Sequence, residues 1–230
     1  MPTPQRQHAR LRKVLGGPFG LLWAGQSVSM LGDGVFLVAF TWQLAVAWQQ
    51  PALLGLLRAV RVTAEVATLG LGGWIIDRLP RRTIILAADT GRGLLLFALA
   101  AALHHAPSVP VLAGLLVGYG ILTALSRVAL AAYLPEIVPP ERLQAANALY
   151  GIALQASMIC GPAAGTALLS LGSATTALRL DGLSFLLAAI TILPLPARPP
   201  AATGRRSGLA QMLEGSGLPA GSAGSAAPSR

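Results

Sequence analysis

Charge is what this chain has least of. Charged residues make up 11% of the sequence, against about 25% in a soluble domain, so the chain cannot clothe a globular core in polar surface. Acidic side chains are scarcer still, 8 against 17 Lys and Arg. A net charge of +9 would suit nucleic acid. The basic residues, however, stand in small groups beside apolar runs, and aromatics are only 5%; with no basic stripe interleaved with stacking rings, nucleic acid is excluded as a partner. The single cysteine, Cys160, leaves no disulfide and no cysteine-based metal site within one chain. A glycine-rich phosphate loop with its lysine is absent, which removes ATP-driven chemistry. His104 and His105 are adjacent, where turning both toward one metal is awkward. Ser126, Ser157 and Ser184 lack a His base at matching depth. Nothing here makes an enzyme, and no cofactor or metal is implied.

What is present is apolar length. Mean hydropathy is +0.65, and six stretches approach the roughly 20 apolar residues that cross a bilayer core of about 30 Å: Leu21–Val46, Ala52–Ile76, Thr83–Leu103, Val109–Leu134, Ala145–Leu171 and Ala174–Leu195. The expected class is an all-α integral membrane protein with six transmembrane helices. Its parts are a basic N-terminus (1–18), a six-helix domain (19–195) and a tail (196–230) rich in Pro, Ala, Gly and Ser that is too poor in apolar groups to order itself. Within that tail only Ser207–Glu214 hints at a short helix.

Basic residues set the orientation, because Lys and Arg accumulate in cytoplasmic loops. Arg6, Arg10, Arg12 and Lys13 precede the first span, Arg78, Arg81 and Arg82 follow the second, Arg142 follows the fourth, and Arg198, Arg205 and Arg206 follow the sixth. All lie on one side. The opposite loops, around Gln49-Gln50-Pro51, His104-His105-Ala106-Pro107 and Gly172-Ser173, contain none. Both termini are therefore expected in the cytoplasm of a cell (plasma or inner) membrane, and a cleavable signal peptide is a poor reading of the start.

Ionisable groups inside apolar spans are costly and read as functional by default. Asp33 lies about 20 Å into the first span and Glu65 about 17 Å from the same membrane face, at 1.5 Å per residue. Arg61 and Glu65 stand four residues apart on one face, and Arg58 extends that face. Asp33, Arg58, Arg61 and Glu65 are thus candidates for a substrate or proton cavity, weighed against a cluster that merely fixes the first helix on the second. Asp89, Arg92 and Arg127 sit nearer the cytoplasmic ends and suggest a charge lock between helices. Arg179 and Asp181 are expected at the outer interface, in a structural role.

Several motifs then resemble a known family. Gly73-Trp-Ile-Ile-Asp-Arg-Leu-Pro-Arg-Arg82 is similar to the loop between the second and third helices of the major facilitator superfamily of transporters. Phe19 to Asp33, Asp89-Thr-Gly-Arg92, Leu134 to Leu143 with Asn147, and Asp181-Gly-Leu-Ser-Phe185 resemble, in order, its exporter-type branch, which includes enterobactin exporters and macrolide efflux permeases. The resemblance covers about Phe19 to Leu195 and one half of the superfamily's twelve-helix repeat. It implies a gating loop made of Gly73, Asp77, Arg78, Arg81 and Arg82, in which Asp77 braces the two halves; the arginines more simply meet anionic lipid head groups. It also implies an antiporter-like motif at Gly161, Pro162 and Gly165, for which tight helix packing is an equal reading. Ser157 and Thr166 depart from that motif, Pro80 departs from the loop motif, and Gly114 replaces an arginine that many proton-driven members carry. The implied function is secondary-active efflux of small amphipathic molecules, drug-like or siderophore-like, by one half of the machine, paired with a second six-helix half or with itself in the lipid bilayer. The alternative is a truncated, non-transporting membrane protein or an association module.

Overall fold

The computed structural model describes residues 15–76, 78–105 and 107–197, and among them it is helical with no strand. Prolines open most of the helices, where their missing N–H is one that no helical carbonyl would claim. Helix α1 is Pro18–Thr41, α2 is Pro51–Ile76, α3 is Arg81–Ala102 with Pro80 just ahead of it, α4 is Val109–Ile137 and α5 is Pro140–Leu171. The last, α6, is Ala174–Ile192, opened instead by Ser173, whose Oγ accepts the Thr176 N–H at 3.2 Å. Helix α1 ends in a wider turn, Trp42–Ala47. Gln49 then takes φ 54°, and the Gln50 N–H reaches back to the Leu44 carbonyl at 2.8 Å, which reverses the chain into α2. His104 and His105 end a short helical turn after α3 and are exposed.

These helices match the apolar stretches closely, with α5 starting at Pro140 rather than Ala145 because the Pro139-Pro140 pair sets its entry. Among the described residues, five helical stretches are long and apolar enough to cross a membrane: Pro18–Ala47, Arg81–His105, Val109–Ile137, Pro140–Leu171 and Ala174–Ile192. The expected second span is not one of them; residues 71–77, at its end, are not described beyond their backbone or at all. The basic segment before residue 15 and the tail after residue 197, with its suggested short helix, fall outside the described residues.

Packing runs in an arc. Helix α1 lies against α5 and α6, α6 against α3, α3 against α4, and α4 against α2. Lipid is as apolar as the helices, so close backbone approach and polar contacts must hold them together. The chain supplies the first with glycine. A Cβ built on Gly34 of α1 would lie 2.6 Å from the Gly161 Cα of α5, and one on Gly120 of α4 would lie 2.5 Å from the Arg61 carbonyl oxygen of α2. Two apolar cores result. One gathers Phe36, Phe40, Leu96, Leu116, Leu178 and Phe185 toward the ends where α1 finishes and α4 starts. The other gathers Phe19, Ile85, Leu130, Tyr133 and Ile192 toward the opposite ends. Between them lies a buried polar layer containing Gln26, Ser29, Asp89, Arg92, Thr123 and Ser126.

Candidate functional site: a polar cavity between the first and fourth helices

The arc leaves α1 and α4 facing each other. They meet where the Phe36 ring stacks on Tyr119, centroids 5.2 Å apart. The gap is a cavity of 380 Å³. Its walls include Gln26, Ser29 and Asp33 of α1, Arg92 of α3, Thr123 and Arg127 of α4, and Tyr150 of α5. A smaller, apolar hollow of 150 Å³ shares Gln26, Arg127, Leu130 and Tyr150 with it and is otherwise lined by groups such as Phe19, Leu22, Trp23 and Leu134. Trp23 is held by its indole N–H, which donates to the Leu149 carbonyl at 3.1 Å.

Asp33 points at this space with one oxygen taken. The Tyr119 hydroxyl donates to its Oδ1 at 2.6 Å. Tyr119 in turn lies under the Arg61 guanidinium, 5.1 Å from the ring centroid, and Phe36 lies 5.5 Å from the same group, so a cation rests on two aromatic faces. Arg61 also stands 3.8 Å from Glu65, and Arg127 reaches the other Glu65 oxygen at 2.9 Å. Asp33, Arg61 and Glu65 are therefore brought to one region, through Tyr119. Arg58 is not: it donates to the Thr41 hydroxyl at 3.2 Å, on the exposed side near the α1–α2 turn.

The expected group of Asp89, Arg92 and Arg127 is divided. Asp89 and Arg92 form a buried ion pair one turn apart on α3. The Gln26 amide donates to Asp89 Oδ2 at 2.8 Å, Ser126 shares both partners, and the Arg92 guanidinium lies 4.1 Å over the Phe185 ring. That network ties α1, α3, α4 and α6 together. Arg127 faces the other way, toward Glu65 of α2. Helical rotation is the reason: Ser126, one residue earlier, points at Asp89, and the next residue lies about 100° around the helix.

Asp181 also departs from expectation. It is 2% exposed, buried in α6 against Gly32 of α1, where its Oδ1 leaves no room for an added Cβ. Ser184 donates to that oxygen at 3.4 Å, while Oδ2 has no hydrogen-bond partner. Arg179 is exposed.

At the other end of the helices the loop-motif arginines contact protein. Arg81 pairs with Glu136 at the end of α4. Arg82 donates to the Ile192 carbonyl at 3.1 Å and to that of Leu193, so a positive group meets the negative end of the α6 dipole. Both arginines are half-buried. Gly73 lies in the last turn of α2, Arg78 is exposed, and Asp77 is outside the described residues. Gly161 and Gly165 both face α1: added Cβ atoms would lie 2.8 Å from the Gly34 Cα and 3.1 Å from the Val35 Cα. Tyr119, Gln26, Tyr150 and Glu136 were not singled out from the sequence. Tyr119 and Gln26 did carry a signal, a polar side chain well inside an apolar run, and Glu136 an acid at a basic loop.

Among the described residues there is no cluster of three or more His, Cys, Asp or Glu that could hold a metal ion.

A family model described as Major Facilitator Superfamily matches residues 22–224. The enterobactin exporter of Shigella boydii serotype 4 (strain Sb227) is 29% identical over 203 residues, which is 86% of this chain and 48% of that protein. The enterobactin exporter of Escherichia coli O127:H6 (strain E2348/69 / EPEC) is 28% identical over the same extent, again 86% and 48%. The chain thus spans about half the length of these curated relatives. No solved structure matches it.

Proposed function

This chain belongs to the Major Facilitator Superfamily, and on that premise we propose that it is half of a secondary-active transporter that exports small amphipathic molecules. One observation carries the reading: a 380 Å³ cavity lined by Asp33, Arg92 and Arg127 in a bundle otherwise built from apolar helices. Charges placed at that depth cost a few kcal/mol unless they serve something. Transporters of this kind bind near the midplane between two repeats and rock one against the other. In this reading α2 also crosses the membrane, as the second span, with Arg61 and Glu65 turned toward Tyr119 and Arg127 of α4; the termini are cytoplasmic, and the membrane is the cell membrane. A second six-helix half, or a second copy, closes the open side of the cavity. Asp33 is the group that substrate or a coupling ion meets, and Arg81 and Arg82 are parts of the gate that hold α3 to α4 and α6. Export rather than uptake rests on the enterobactin exporters among its relatives and on the Gly161 to Gly165 motif. The chain is not an enzyme in this reading.

The test is efflux. In cells stripped of their own drug and siderophore pumps, the chain should lower the accumulation of an amphipathic dye or siderophore. Asp33→Asn, which keeps shape and removes charge, should reduce that efflux by about tenfold or more at equal membrane abundance, a loss of at least about 1.4 kcal/mol. Efflux by Asp33→Asn at the wild-type rate would return Asp33 to a packing role.

A further inference from the structure

We propose that the cavity selects amphipathic anions, and that Arg127 is the group that receives the negative charge by leaving Glu65. The inference rests on the transporter reading and adds the charge of its substrate.

The charges around the cavity are not equally available. Arg92 is buried and held by Asp89, Ser126 and the Phe185 face. Asp33 already accepts the Tyr119 hydroxyl. Arg127 differs from both, because its side chain is 61% exposed although it forms an ion pair, and it lines the polar cavity and the apolar hollow alike. The Arg127 end of the pair is open to the cavity, so a competing anion can reach the guanidinium and turn it. Glu65 can release it. It is 12% exposed and also faces Arg61 at 3.8 Å, and Arg61 is steadied by the Tyr119 and Phe36 rings. When Arg127 turns away, Glu65 keeps a cation and is not stranded as an unpaired buried charge, which would be far more costly.

The hollow next to Arg127 supplies the rest of the specificity. Phe19, Leu22, Trp23 and Leu134 form an apolar seat on the far side of the same guanidinium. A ligand with a ring or alicyclic body and a carboxylate, sulfonate or acidic phenol can fill the hollow and place its anion on Arg127, where a planar guanidinium binds it bidentately.

The prediction can be read without transport. The full chain in lipid nanodiscs is titrated with dansyl sulfonate and with neutral dansylamide, which share a ring and differ in charge, while energy transfer from tryptophan reports saturable binding. The sulfonate should bind about tenfold tighter or better. Arg127→Gln should bring the two probes to the same affinity, and Arg127→Lys should keep part of the preference. Glu65→Gln, which removes the competitor, should tighten sulfonate binding. If both probes bind saturably and equally to the wild-type chain, or if Arg127→Gln leaves the preference intact, the anion assignment falls and the cavity remains a ligand site. If neither binds saturably, the anion assignment and the cavity's role as a substrate site fall together.

Discussion

Among the described residues Asp89 is the most enclosed charged side chain, fully buried, and Arg92 beside it is nearly so. The pair sits in the polar layer, where Gln26 and Ser126 add hydrogen bonds to it, while the buried Arg92 Nε has no hydrogen-bond partner. Removing one partner leaves the other charged and buried, a loss of roughly 3–5 kcal/mol. Asp89→Ala should therefore lower the thermal unfolding midpoint in detergent or nanodiscs well below that of Asp89→Asn, which keeps an oxygen for Arg92. Equal midpoints for the two variants would mean that the pair contributes geometry and no energy. Arg127, by contrast, loses little when unpaired, because it is largely open to the cavity. Burial, not residue type, separates the structural arginine from the one suited to bind.

The helices are held apart or together by where glycine falls on them. At Gly161 an added Cβ would lie 2.8 Å from the Gly34 Cα and 2.9 Å from the Leu31 carbonyl oxygen, and both are backbone atoms that cannot step aside. Gly114 of α4 has nothing within 4 Å of the same position. Gly161→Leu should thus cost about 1–3 kcal/mol, the range for overpacking, whereas Gly114→Leu should leave stability unchanged within about 0.5 kcal/mol. Detergent melting curves of the two variants decide it; a Gly161→Leu protein as stable as the wild type would show that α1 and α5 do not cross as described. The contrast also sorts the two glycines the family resemblance drew attention to. Gly161 is used in packing α5 on α1, while Gly114, which the resemblance sets in place of an arginine of many proton-driven members, stands open.

For the whole molecule, the arrangement of basic loops implies one insertion. Ser108, ahead of α4, and Glu141, in the first turn of α5, are both exposed and lie at opposite ends of the bundle. With the exposed Cys160 replaced by alanine, cysteine at position 108 should react with an impermeant thiol reagent added to intact cells. Cysteine at position 141 should react only after the membrane is opened. The reverse pattern would overturn the proposal that both termini are cytoplasmic.

The approximate ends of the apolar helices among the described residues, and the membrane class, were legible in the chain itself, because hydropathy over a run of about 20 residues is a one-dimensional quantity. So was the position of Asp33 and Glu65 along their helices, which needs only a rise per residue. Position along a helix does not say which way a side chain points. Placing Arg127 on Glu65 and not Asp89, burying Asp181 against Gly32, choosing Tyr119 as Asp33's donor, and turning Arg82 onto the end of α6 all depend on the rotation of each helix about its axis and on which helices adjoin. Those were decided only when the glycine contacts and the polar layer locked the arc of six helices together, since a difference of one residue turns a side chain by about 100° and so changes its partner entirely.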